Sequence, residues 1–166
     1  MKKLLMIALL VAPMTVFAQK FGHVNTQAII QSLPEFIKGN GEIESQAKIY
    51  ENDLQTMQQE IQKQAAAYDQ AAATMSATQK EAKEKELMEL QQKLQQTYQD
   101  NQQALQKMQQ EKLQPILTKV QNAIQNVGKA GGYVYIMDIA AGVPYISETL
   151  SKDVTAEVKA EINKLK

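Results

Sequence analysis

From Ile43 onward, oily or small residues recur at Ala47, Tyr50, Leu54, Met57 and Ile61, then at Tyr68, Ala71 and Met75. The steps alternate between four and three, and Gln64 fills the one polar gap. A seam of this period predicts a long helix that pairs along one stripe. At a rise of 1.5 Å per residue, residues 42–75 span about 50 Å. That length, with polar residues on the other faces, argues for a coiled coil over a helix packed in a globular core.

The seam breaks near MSATQKE. Thr78 followed by Glu81 reads as a capping box that starts a new helix, and Ser76 with Gln79 offers a second one. The chain is expected to reverse between Thr74 and Gln79; one continuous helix through residue 78 is the alternative. The next helix carries Leu87, Leu90, Leu94, Tyr98, Leu105 and Met108. Its step of four and four at Leu90–Leu94–Tyr98 predicts a small register slip. Two helices of similar length joined by a short link should pair antiparallel.

The flanks read differently. Gly39 and Gly41 precede the first arm, and Pro115 should kink or restart the helix where the second arm ends. All three are hinge candidates. Ile116, Leu117, Val120, Ile124 and Val127 then form a richer apolar stripe, which suits a helix packed on a sheet. Gly128 or Gly131-Gly132 should end it. Tyr133–Met137 and Val143–Ile146 read as strands around a turn at Ala140–Gly142, with Pro144 at an edge or bulge. Residues 21–25 are a third short strand. DVTAEVKAEINKLK closes the chain as an amphipathic helix, capped by Asp153 or Ser151, with Val154, Val158, Ile162 and Leu165 on one face. The fold class is α+β, mostly α: a coiled-coil hairpin over residues 42–112 inserted in a small body made of 19–41 and 113–166. A body with three short strands buries too little surface to stand alone, so it should oligomerise through its strands and last helix.

The first residues, MKKLLMIALLVAPMTVFA, have a charged start, an apolar run and small residues at the end. They read as a secretory signal peptide cut after Ala18, with the apolar run too short to span a bilayer. Export to a bacterial periplasm is the expectation. There is no Cys, hence no disulfide framework. Losing Lys2 and Lys3 takes the formal charge from 0 to about −2, and there is no Arg. Nucleic-acid binding lacks a basic face. Contact with a membrane is left open, without support from charge.

Candidate chemistry is sparse. His23 is the one His, and it sits in an expected strand. Metal sites draw on His or Cys clusters, which are missing. Gly128-Lys-Ala-Gly-Gly has the wrong order for a P-loop. KEAKEKE gives surface pairs at i,i+4 rather than an acid–base couple, and Asp138 suits a turn cap. No catalytic residue, metal or cofactor is expected. Binding remains. Gln donates and accepts hydrogen bonds without charge, and Met is polarizable and adaptable. Such a surface suits many weak contacts with an extended chain.

Taken together, FGHVNTQAIIQSLPE, the turn at TMSATQKEAKEKE, the segment LQPILTKVQNAIQNVGKAGGYVYIMD and the closing DVTAEVKAEINKLK resemble the Skp (OmpH-like) periplasmic chaperones. The resemblance covers residues 19–166. It implies a homotrimer in which a β-barrel body carries three helical hairpins, and unfolded outer-membrane proteins are held between them without ATP. It assigns the intersubunit sheet to residues 20–26, 133–138 and 143–147, hence to Phe21, Val24, Val134, Ile136, Val143 and Ile146. Well-known members are strongly basic, with a proposed lipopolysaccharide site rich in Lys and Arg; this near-neutral chain does not inherit that site. Met57, Met75, Met88 and Met108 are the candidates for client contact, with Met75 and Met88 nearest the turn. The competing reading is a structural spacer or adaptor of the envelope whose hairpin tip docks a defined partner. A hydrolase fails on the residue inventory.

Overall fold

The computed structural model describes residues 19–165. The proposed signal peptide lies outside them. The chain divides into two compact units. One takes in the chain up to Thr26 together with Gln121 onward, and the other is Gln27–Val120.

The first unit is built on a parallel three-stranded sheet. β1 (Lys20–Val24) lies in the centre, flanked by β2 (Tyr133–Asp138) and β3 (Ser151–Asp153). Parallel neighbours cannot be joined by a tight hairpin, so both connections are long. Phe21 pairs with Tyr135 across the sheet, and their rings stack with centroids 4.9 Å apart. Val24 ends β1 inside the core with Ala123, Val154, Val158 and Ile162. The last three lie at four-residue spacing at and within the short C-terminal helix Thr155–Ile162, so one face of it is buried. Val154, rather than Asp153 or Ser151, takes the N-cap position, without a side-chain cap, and Asp153 just before it accepts the Thr155 N–H on Oδ1 at 2.8 Å. Asp138 closes β2 and caps two turns. Its Oδ1 accepts the N–H of Ala140 at 3.0 Å and of Thr26 at 3.2 Å, and Oδ2 accepts the Thr26 hydroxyl at 2.5 Å.

One expected strand is missing. Val143–Ile146 is irregular, and the third strand forms at Ser151–Asp153 instead. Gly142, with φ +83°, turns the chain just before it, and Pro144 has no N–H to give to a ladder. Ser151–Asp153 then takes the open edge of β1, with Phe21 opposite Ser151 and His23 opposite Asp153.

The second unit is a helical hairpin. After α1 (Thr26–Ser32), α2 runs over Pro34–Ala71 and α3 over Ala77–Gly131, the turns of α3 beyond Val120 belonging to the first unit. Where the pattern put the start of the arm after Gly41, α2 begins at Pro34 and passes through Gly39 and Gly41 unbroken. Proline suits a first helical turn, where its missing N–H has no partner to lose. Pro115 does not restart the helix either; α3 continues through it. α2 stops at Ala71, whose carbonyl accepts both the N–H and the hydroxyl of Thr74. Of the two capping boxes, Ser76 and Gln79 form the reciprocal one. The Ser76 N–H donates to Gln79 Oε1 at 2.9 Å, and the Gln79 N–H to Ser76 Oγ at 3.3 Å.

The helices are antiparallel, as three cross-links show. Tyr68 donates to Glu84 at 2.5 Å, Lys112 pairs with Glu42, and Lys119 donates to Glu35 at 3.0 Å. The seam of α2 is as read, half-buried from Ile43 to Met75. The seam of α3 is not. Tyr98 is 54% exposed, and Thr97, Asn101 and Ala104 are half-buried in its place. The stripe Leu87, Leu90, Leu94, Thr97, Asn101, Ala104, Met108 keeps a strict alternation of three and four, so there is no slip at Leu94.

Candidate chain-binding surface

The hairpin seam is mostly apolar and half-buried along its length. Two of its positions are amides, Gln64 and Asn101. Gln64 Oε1 and Asn101 Nδ2 are buried with no hydrogen-bond partner among the described residues. A buried polar seam residue fixes register at a cost in stability. Away from the turn, the pair is fastened by charge. Lys112 holds the Glu42 carboxyl below its ordinary value, chiefly through their hydrogen bond. Glu35 is lowered too, first by a backbone hydrogen bond at the helix start and then by Lys119. Near the turn, the hydrogen bond to Glu84 raises the Tyr68 phenol.

The outward surface carries a shallow groove of about 600 Å³ between the helices. Glu51, Leu54, Gln55 and Gln58 line it from α2, and Gln91, Leu94, Gln95 and Tyr98 from α3. Tyr98 was read as a seam residue, and its place in this groove was missed. Of the four Met candidates, Met88 is 56% exposed. Met57, Met75 and Met108 are half-buried. Ile37 and Ile49 add exposed apolar surface on α2.

The sheet unit exposes a second apolar surface. β2 is an edge strand, and Val134, Tyr135 and Met137 are all exposed on it, followed by Ile139. Tyr145 and Leu150 stand out further still, at 79% and 74% exposure. Among the residues assigned to an intersubunit sheet, Val134 is exposed, and Phe21, Ile136, Val143 and Ile146 are half-buried. Val24 is 1% exposed and serves this unit's own core. Gly39 is buried against Lys112, Gly41 is exposed, and both lie within α2.

His23 meets the Ser151 hydroxyl at 2.9 Å across the sheet, a contact that ties β3 to β1. Asp153 stands opposite His23 in the sheet, and its carboxyl is held below its ordinary value first by the Thr155 hydroxyl and N–H and least by His23. Among the described residues no group of His, Cys, Asp and Glu could hold a metal ion, and no helix is long and apolar enough to cross a membrane. What these residues present is two apolar surfaces, the groove of the hairpin and the exposed edge of β2.

Comparison with known proteins agrees in kind. Residues 20–162 match the family model described as outer membrane protein (OmpH-like). A chaperone protein Skp from Yersinia enterocolitica is 30% identical over 153 residues, 92% of each chain. Another from Yersinia pseudotuberculosis is 37% identical over 145 residues, 87% of this chain and 86% of that one. Among solved structures, a candidate OmpH-like outer membrane chaperone from Caulobacter crescentus CB15 superposes with a TM-score of 0.75 at 16% identity, covering 88% of this chain and 85% of that one. A family model that spans almost every described residue, on a fold shared with an OmpH-like structure, places this chain in the OmpH-like family.

Proposed function

We propose that this protein is an ATP-independent periplasmic holdase, which binds unfolded outer-membrane proteins with its helical arm and keeps them from aggregating. The observation that carries the reading is the arm itself. A long hairpin with a mildly apolar seam and a glutamine-rich outer surface is suited to many weak contacts with a non-native chain. The relatives' name, chaperone, supports the same reading.

Several arms acting together would multiply weak contacts by avidity. The exposed edge and apolar side chains of β2 support self-association, since an open strand edge is a template for another strand. On this reading three copies assemble through β2, with Val134 and Ile136, and through the irregular segment at Val143–Ile146. Sedimentation equilibrium should give three times the chain mass, and Val134→Glu should lower it.

The deciding experiment is dilution of a urea-unfolded outer-membrane barrel protein, with and without this protein. Light scattering should be suppressed at matched stoichiometry; undiminished scattering rules the holdase out. The spacer reading separates at the turn. A docking tip would be sensitive to substitutions at Met75–Thr78, whereas a holdase tolerates them and loses capacity when both helices are shortened by whole heptads.

A further inference from the structure

The two outer faces of the hairpin are chemically different. In an antiparallel pair, residues that follow the seam positions on both helices share one face, and residues that precede them share the other. The groove confirms the pairing, because Gln55, Gln58, Gln91, Gln95 and Tyr98 each follow a seam residue and line it together. Along this face α2 presents Gln55, Gln58, Gln62 and Ala65, and α3 presents Met88, Gln91, Gln95, Tyr98, Gln102 and Leu105. No Asp, Glu or Lys interrupts this face over Gln55–Ala65 or Met88–Leu105; on α2 the same face becomes charged at Asp69 towards the turn, and away from it at Glu51, which lines the groove, and Lys48. The opposite face over the same length holds Glu60 and Lys63 on α2, and Glu89, Lys93 and Asp100 on α3. Its charges are partly paired along the helix, as in Glu60–Lys63 and Lys85–Glu89.

We infer that the uncharged face, centred on Tyr98, is the face that holds client chain, and that its occupant is an extended segment with few charges. This rests on the holdase reading above and specifies its surface. The chemistry of the face selects that occupant. Each exposed Gln offers one amide donor group and one carbonyl acceptor, which match the C=O and N–H groups that an unfolded backbone presents. Tyr98 and Met88, both more than half exposed, offer aromatic and thioether contacts to side chains on the same segment. A charged segment gains little here because, of the eight residues that line the groove, Glu51 alone carries a charge. The uncharged run is about 25 Å long on α3, from Met88 to Leu105, and about 15 Å long on α2, from Gln55 to Ala65, enough for an extended segment of roughly four to eight residues. The opposite face keeps its charges, partly paired along the helices, at the exposed surface.

The test places the same charge on either face of the full-length protein. One variant carries Gln58→Glu and Gln95→Glu on the uncharged face. Its control carries Gln70→Glu and Gln103→Glu on the other, so net charge is matched. All four positions are exposed, and circular dichroism melts check that both variants fold like the parent. Affinity for a urea-unfolded outer-membrane barrel protein is read by fluorescence on dilution. The uncharged-face variant should bind about tenfold more weakly and the control within about twofold of the parent. Photo-crosslinkers at residues 58 and 95 should capture client, and those at 70 and 103 should not. Equal losses, or equal crosslinking on both faces, overturn the inference while leaving the holdase standing. Crosslinks only between copies of this chain would assign the face to self-association and also overturn it. A parent protein that binds no client removes the holdase reading itself.

Discussion

At residue scale the seam of α3 shows how one large side chain misleads. Tyr98 looks like the next apolar knob after Leu94, and placing it there forces a slip. A strict alternation of three and four puts the small Thr97 and the polar Asn101 in the seam, and the structure follows the period rather than the size of the side chain. Asn101 leaves a buried amide nitrogen without a partner. An unpaired buried amide costs about 1–3 kcal/mol, so Asn101→Leu should raise the hairpin's resistance to urea by about 1 kcal/mol. A lower denaturation midpoint would show that Asn101 has a partner in solution. Gly131 makes the opposite case. A Cβ there would stand 2.3 Å from the Tyr133 ring, and Gly132 follows in the left-handed region at φ +66°. Gly131→Ala must push Tyr133 off its place beside β1, so a loss of about 1–3 kcal/mol is expected from thermal melts. The Gly-Gly pair was legible in the sequence as a helix end; the ring packed against it was not, because close approach of distant atoms leaves no mark in a local pattern.

At the scale of elements, the long helices were legible because a heptad repeats often enough to outweigh local exceptions. Proline and glycine signals were weaker guides. α2 absorbs Gly39 and Gly41, and α3 absorbs Pro115, since helical turns on both sides carry the segment through. The strand Ser151–Asp153 was invisible for another reason: three residues, SKD, show no alternation, and only the open edge of β1 makes them a strand. The ion pairs that fasten α2 to α3 give a pH prediction. Glu35 and Glu42 both have folded values lowered from 4.5. Their contribution is therefore complete above the unfolded carboxylate value and is lost as pH falls through the lowered folded value. Both groups face solvent, so the effect is modest. Melting temperature should hold steady down to about pH 5 and then fall, and Glu42→Gln should remove part of that fall. A parent and variant with parallel pH profiles would exclude Glu42 as a contributor.

For the whole molecule, the charge balance bears on how the proposed holdase would capture a client. There is no Arg, and the acidic and basic residues cancel over the full chain. Capture led by charge would weaken steeply as salt rises. Capture by amide and apolar contacts should not: affinity for an unfolded barrel protein is expected to change less than about threefold between roughly 50 and 300 mM salt. A steep fall by titration would move the weight back to the lysines. None of this was legible as a site, because the sequence shows only that glutamine is abundant. Which glutamines share a face depends on the register of two helices, and the misplaced Tyr98 hid that register.

The order of strands in the sheet has a consequence for the making of the protein. β1 is the central strand, yet it is synthesised first, and neither neighbour exists until Tyr133 and then Ser151 have been added. In between, the whole hairpin is made from contacts close in sequence near its turn, which form fast. The central strand therefore waits, unpaired on both edges, while the arm zips up from Ser76. A newborn chain of this chaperone carries for a time the same hazard it is proposed to relieve in others.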